Sequence, residues 1–118
     1  MTGFHIAHRD EMERSGNWSL CRRALGLRSF GMGLVEIPPG ESIPEHDETG
    51  RDHEELFLVL EGAPTLVVDG ADHPLREGSF ARLDPTPKRT VRNDGDSVAR
   101  VLIVSAPVSS GYEPLDWA

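Results

Sequence analysis

The feature that most constrains the fold is a rhythm of short apolar runs, broken by turn residues, along most of the chain. Asp69-Gly70 separates two strand-like arms within residues 65–75, and Asp94-Gly95 separates the runs at 89–93 and 97–107. Asp-Gly between such runs is a strong hairpin signal. Short strands with turns every roughly 8–12 residues are typical of sandwiches and barrels, so the sequence predicts an all-β fold.

Other segments fit the same architecture. Strands are predicted at residues 18–27, 30–37, 56–60 and 76–85, with a short helical piece at 8–14. No internal repeat or linker interrupts the chain, whose 118 residues suit one domain. We therefore predict a single domain in three parts: an N-terminal strand or arm packing on the barrel at 1–29, the barrel at 30–107, and an aromatic C-terminal tail at 108–118.

Composition excludes several functional classes. The net charge of −8 argues against a nucleic-acid partner, because the phosphate backbone requires a basic surface. A single cysteine, Cys21, rules out an internal disulfide framework and suits a reducing compartment. No apolar run approaches the ~20 residues that span a bilayer, and the first residues do not resemble a signal peptide. We expect a cytoplasmic protein without a membrane partner.

The segment 46–62, HDETGRDHEELFLVLEG, crowds histidines and carboxylates before an apolar run. It is either a metal site or an acidic hairpin that satisfies its own charges. If residues 49–52 form a turn, strand pairing across it sets Glu48 opposite His53 and His46 opposite Glu55. Alternation then points all four into the barrel mouth. Imidazole and carboxylate are suitable ligands for Fe, Mn, Zn or Ni, so the candidate ligands are His46, Glu48, His53 and Glu55.

These residues resemble the first motif of small single-domain cupins of the type 2 conserved-barrel family. Gly40 precedes ESIPE and His46, while Glu55 precedes LFLVLE and Gly62. The second motif is represented by Gly78, Pro85 and Asn93, and the tail is similar to that of small bacterial cupins. The resemblance implies a double-stranded β-helix, a jelly-roll barrel, and permits a metal-dependent oxygenase, isomerase or decarboxylase.

Departures from the family pattern concern the ligands. Glu48 stands where the motif has its second histidine, and Arg89 stands at the histidine four residues before Asn93. A guanidinium cannot ligate a metal. Either a metal sits on the four candidates with Arg89 beside it, or Arg89 is the counter-ion of a metal-free pocket. Arg89 facing solvent, with Thr90 inward, is a third arrangement.

Three functions therefore remain in view, one of which is a purely structural or regulatory dimer module. The first is a polar pocket that binds a small anionic molecule, with a metal site degraded relative to the family; its residues are His46, Glu48, His53, Glu55 and Arg89. The alternative is a metal-dependent enzyme that uses His46, Glu48, His53 and Glu55. On the opposite face of the same strand, Leu56, Leu58 and Leu60 form an apolar strip, which predicts a homodimer.

Overall fold

The computed structural model describes residues 2–118 as two antiparallel sheets around one core. The six-stranded sheet has the order β1-β2-β3-β9-β4-β7, and the three-stranded sheet has the order β6-β5-β8. The strands are β1 (Arg14–Ser15), β2 (Trp18–Ser19), β3 (Gly31–Ile37), β4 (His53–Glu61), β5 (Thr65–Val68), β6 (Ala71–Pro74), β7 (Phe80–Leu83), β8 (Arg89–Arg92) and β9 (Ala99–Pro107). The predicted all-β, single-domain jelly roll is confirmed.

Alternation along the strands builds the core between the two sheets. Phe57 and Val59 point inward from β4 and are 0% and 1% exposed. Val101 of β9 lies opposite Val59, and Val91 contributes from the smaller sheet. Side chains two residues apart share one face of a strand, so the inward direction of Phe57 also directs Glu55 into the protein.

The predicted hairpin of residues 65–75 forms as β5 and β6. Asp69 and Gly70 have φ values of 48° and 80°, which place both in the left-handed region. Two consecutive residues in this region form a tight turn whose twist matches that of the two antiparallel strands it joins. The hairpin places β5 beside β8, which carries Arg89.

The segment before β4 extends the smaller sheet without forming a regular strand. It runs antiparallel to β8, and the backbone N–H of Ile43 donates to Val91 at 3.1 Å. His46 and Arg89 exchange two backbone hydrogen bonds of 3.0 and 2.8 Å. The positive φ of Gly40, 80°, allows the turn that starts this segment. The chain therefore brings His46 to the end of the core beside β8.

Residues 18–27 were predicted as a strand, and that prediction is wrong after Ser19. Cys21–Leu25 form a helix, α1, which ends at Gly26 in the left-handed conformation with φ of 69°. Buried Cys21 anchors one turn, and a glycine at this position commonly ends a helix. The predicted helical piece at 8–14 is reduced to a 3-10 turn at Arg9–Glu11.

The other face of the six-stranded sheet is apolar and partly exposed. Phe80 is 70% exposed, Leu60 45% and Leu56 37%. Strand register brings further apolar side chains of β3, β4 and β9 beside them. We call this surface the outer face; it comprises Met32, Leu56, Leu58, Leu60, Phe80, Leu102 and Val104.

The tail beyond β9 leaves its aromatic side chains in solvent. Tyr112 is 74% exposed and Trp117 is 84% exposed. Among residues 2–118 there is no helix with the length and apolar character to cross a membrane.

Candidate functional site

Three of the predicted site residues meet at one end of the core. Nitrogen or carboxylate oxygen atoms of His46, Glu48 and Glu55 all lie within 4.8 Å of one another. Glu55 projects inward from β4, whereas His46 and Glu48 come from the segment that runs along β8. Glu48 and Glu55 are only 7% and 6% exposed. The site therefore contains two buried carboxylates beside one imidazole.

The orientation of the His46 ring is set by the backbone just before it. Its Nδ1 lies 3.0 Å from the carbonyl oxygen of Pro44, which can only accept a hydrogen bond, so Nδ1 carries a proton. In the neutral ring, Nε2 then presents a lone pair. That atom is 3.2 Å from Oε1 of Glu55. Nε2 and the carboxylate oxygen would both present lone pairs to each other at this distance, which is unfavourable. The contact is stabilised when a cation lies between them, either a proton on Nε2 or a metal ion.

Arg89 is the second partner of Glu55 and is fully buried. Its Nε donates to Oε1 of Glu55 at 3.0 Å. The other guanidinium nitrogens donate to backbone carbonyls at the end of β7 and in the following loop, those of Leu83, Asp84, Pro85 and Pro87. The alternative in which Arg89 faces solvent is therefore wrong. Its donors are engaged within the protein, so Arg89 serves as a counter-ion.

Glu48 has a different cationic partner, which the sequence-based reasoning did not assign to the site. Oε1 of Glu48 accepts a hydrogen bond from Nη2 of Arg51, three residues later. The Glu48 side chain is 9% exposed, but that of Arg51 is 64% exposed. One signal was available in the sequence: Arg51 is the sole cation among the six carboxylates of residues 45–55.

His53 does not join the group of three. It lies on the same face of β4 as Glu55, and its backbone N–H donates to the carbonyl of Glu48 at 3.3 Å. Its Nδ1 is buried and has no hydrogen-bond partner within residues 2–118. The predicted register is wrong for His46, which lies opposite Arg89 rather than Glu55. Convergence of His46 with Glu55 arises across the core, not across a hairpin.

Asp47 lies just before the turn of residues 49–52 and accepts hydrogen bonds from it. Its Oδ1 accepts hydrogen bonds from the hydroxyl and the backbone N–H of Thr49, at 2.7 and 3.1 Å. These bonds, the hydroxyl first, hold the pKa of Asp47 below its ordinary value. The carboxylate therefore stabilises the turn that presents Arg51.

The donor set fits a divalent cation. One imidazole and two carboxylates suit manganese, iron, zinc or nickel, and three protein donors leave positions for another ligand. The His46 side chain is 34% exposed, which gives the group access to solvent. Since the lone pair of Nε2 already faces a carboxylate oxygen, a cation would relieve that contact.

The sequence is similar to those of known proteins. A profile of the Cupin domain matches residues 33–105. The chain is 33% identical over 84 residues to Protein SchB of Streptomyces halstedii, covering 71% of this chain and 59% of that protein. It is also 33% identical over 85 residues to Polyketide synthase CurC of Streptomyces cyaneus, covering 72% and 54%. The chain thus spans little more than half the length of these two relatives.

Solved structures agree with the architecture. A cupin protein from Bacteroides fragilis superposes with a TM-score of 0.82 at 20% identity, covering 99% of this chain and 94% of the other. A sugar phosphate isomerase from a cupin superfamily, from Silicibacter pomeroyi, gives 0.68 at 26% identity, covering 79% and 61%. The first similarity supports the fold alone.

Proposed function

We propose that this chain, which belongs to the cupin-domain family, holds a divalent transition-metal ion on His46, Glu48 and Glu55 and binds a small anionic molecule beside it. The names of the two curated relatives and of the isomerase structure do not point to one common activity. Since fold does not determine function, the proposal is drawn from the site itself.

The observation that carries the proposal is the arrangement around Nε2 of His46. Pro44 fixes the proton on Nδ1, so the ring directs its other nitrogen at Glu55 from 3.2 Å. Glu48 brings a second carboxylate within 4.8 Å of both. Hydrogen bonding of the remote ring nitrogen to a backbone carbonyl is how metal-binding histidines are commonly oriented.

A bound ion would act as a Lewis acid toward an oxygen of the ligand. The chain's own residues hold and limit that site. Arg89 and Arg51 each neutralise one buried carboxylate, so both compete with an ion for negative charge. We expect weaker metal affinity than that of a site with three histidines, because two of the usual imidazoles are replaced by Glu48 and Arg89.

The experiment is a calorimetric titration of the purified, chelator-treated protein with Mn²⁺ and Zn²⁺. One binding event per chain is expected, and His46→Ala should abolish it. His53→Ala is the matched control, because His53 lies outside the group and its loss should leave binding unchanged. Equal effects of the two substitutions would contradict the proposed ligand set.

A metal-free pocket is the second candidate, and one observation favours it. Each buried carboxylate already has its own arginine: Arg51 for Glu48 and Arg89 for Glu55. In that case a small anion would bind without a metal. This candidate would be supported if inorganic phosphate or glycolate still binds in the presence of a strong chelator and titration with metal gives no heat.

A metal-dependent enzyme is the third candidate, and the names of relatives favour it. One curated relative is a polyketide synthase and one structural relative is a sugar phosphate isomerase. We expect any turnover to be of a small, oxygen-rich substrate. A panel of polyketide acids and sugar phosphates, incubated with metal-loaded protein and with His46→Ala, tests it; equal rates for both proteins would refute a role for the site.

A further inference from the structure

The two arginines of the site differ in solvent exposure: Arg51 is largely exposed, whereas Arg89 is fully buried. The Arg51 side chain is 64% exposed, although the carboxylate that it binds is 9% exposed. A guanidinium offers five N–H donors. Glu48 is the side-chain partner of Arg51 in the described part of the chain, so the other donors of Arg51 are available to solvent beside the site.

Arg89 cannot recognise an incoming anion. It is 0% exposed, and its nitrogens donate to Glu55 and to four backbone carbonyls. An anion would have to displace those carbonyls inside the core, leaving them without donors. Because unpaired buried polar groups are costly, the buried arginine keeps its present partners.

We propose that Arg51 is the residue that recognises the anionic group of the small molecule, exchanging Glu48 for oxygens of that ligand when Glu48 serves a bound cation. The inference rests on the proposed function and extends it to a specificity-determining residue. The recognised group is a carboxylate or a phosphate, since the planar guanidinium can bind either through two parallel hydrogen bonds.

The local chain supports such an exchange. Arg51 lies in a turn of four residues, 49–52, fixed by the hydrogen bonds that Thr49 donates to Asp47. The Arg51 backbone N–H donates to the carbonyl of Glu48 at 3.2 Å, which keeps the side chain near the site. Only the long, exposed side chain has to move. The turn therefore sets the position of Arg51 while its guanidinium changes partner.

This assignment predicts two opposite effects of one substitution. Arg51→Gln removes a competitor for Glu48, so Mn²⁺ should bind several-fold more tightly. The same substitution removes the two charge-assisted hydrogen bonds of the guanidinium, so anion affinity of the manganese-loaded protein should fall by at least about tenfold. A general loss of folding would weaken both.

Arg82→Gln is the matched control. Arg82 is also exposed, at 71% of its side chain, and it also pairs with a carboxylate, that of Asp84 at 3.2 Å. It lies on β7 at the position opposite Leu56. The control changes net charge equally and should alter neither affinity.

Free Mn²⁺ is measured by electron paramagnetic resonance, and anion binding by calorimetry with inorganic phosphate and with glycolate. Tighter Mn²⁺ with weaker anion binding in Arg51→Gln supports the inference; the preferred anion distinguishes phosphate from carboxylate. The inference about Arg51 is overturned, and the proposed metal site is not, by either of two results. In the first, the native protein binds Mn²⁺ but neither anion; in the second, Arg51→Gln has the same Mn²⁺ and anion affinities as the native protein. Native protein that binds no Mn²⁺ overturns the proposed function and the inference with it.

Discussion

Replacing Arg89 with methionine removes the fully buried cation of the site but keeps an apolar side chain of similar length. Glu55 would then keep His46 as its neighbour but lose the Nε–H donor at 3.0 Å. Asp84 would also lose the 2.9 Å hydrogen bond to its carbonyl oxygen. Because Glu55 is 6% exposed, water cannot readily replace the lost donor.

The expected cost follows from this burial. Removing one partner of a buried ion pair costs about 3–5 kcal/mol, because the remaining charge is uncompensated. A domain of this kind has a total free energy of unfolding of about 5–15 kcal/mol. For a chain of this length the substitution should lower Tm by roughly 10–25 °C.

Thermal and urea unfolding of the chelator-treated protein provide the assay. Arg82→Met is the control at an exposed pair, where the expected loss is under about 1 kcal/mol. The double variant Glu55→Gln, Arg89→Met removes the buried charge as well as its partner. It should recover about 0.5–3 kcal/mol relative to the sum of the single changes.

Added Mn²⁺ gives a second measurement on the same variants. An ion that binds only the folded protein raises its stability, and Arg89→Met leaves Glu55 without a competing cation. Mn²⁺ should therefore stabilise Arg89→Met more than the native protein. A loss of less than about 1 kcal/mol in Arg89→Met, with no response to Mn²⁺, would refute the reasoning that Arg89 balances Glu55.

The remaining predictions concern assembly, a buried amide and acid stability. We propose that two copies of the chain associate through the outer face. Phe80→Glu should then change the sedimenting species from a dimer to a 13.0 kDa monomer. Native protein that sediments as a monomer at micromolar concentration would contradict this association. Asn93, 1% exposed, donates to two carbonyls at 2.8 Å and accepts one N–H, so Asn93→Ala should cost about 2–4 kcal/mol in urea unfolding; a smaller loss would mean that water replaces the amide. Hydrogen bonds from Arg92 lower the pKa of both Asp72 and Asp94, so the folded state gains stability above the pH at which free aspartate titrates, about 4, and loses it as pH falls further. Replacing both aspartates with asparagine should flatten acid unfolding in that range, and an unchanged profile would assign the acid sensitivity elsewhere.

Several features of the fold could be predicted because their causes are local. Asp69-Gly70 specifies its turn through the positive φ that both residues adopt. Alternation within β4 was sufficient to point Glu55 inward and Leu56 outward, since successive side chains face opposite sides of a strand. These signals extend over a few residues and do not depend on the rest of the chain.

The features that were missed depend on contacts between distant segments or on very short elements. His46 pairs with Arg89, 43 residues away in sequence, and nothing near His46 specifies that partner. The five residues of α1 are too few to show helical periodicity. The contact of Arg51 with Glu48 depends on the conformation of one turn. The convergence of His46, Glu48 and Glu55 was predicted from an assumed pairing across residues 49–52, whereas the structure brings these residues together across the core.

A crystal structure of the protein with Mn²⁺, measured for anomalous scattering, tests most directly whether His46, Glu48 and Glu55 hold the metal ion. One anomalous peak is expected between Nε2 of His46 and the carboxylates of Glu48 and Glu55, with His53 outside the coordination sphere. Absence of a peak there at saturating Mn²⁺, or a peak held by His53 in place of His46, would contradict it.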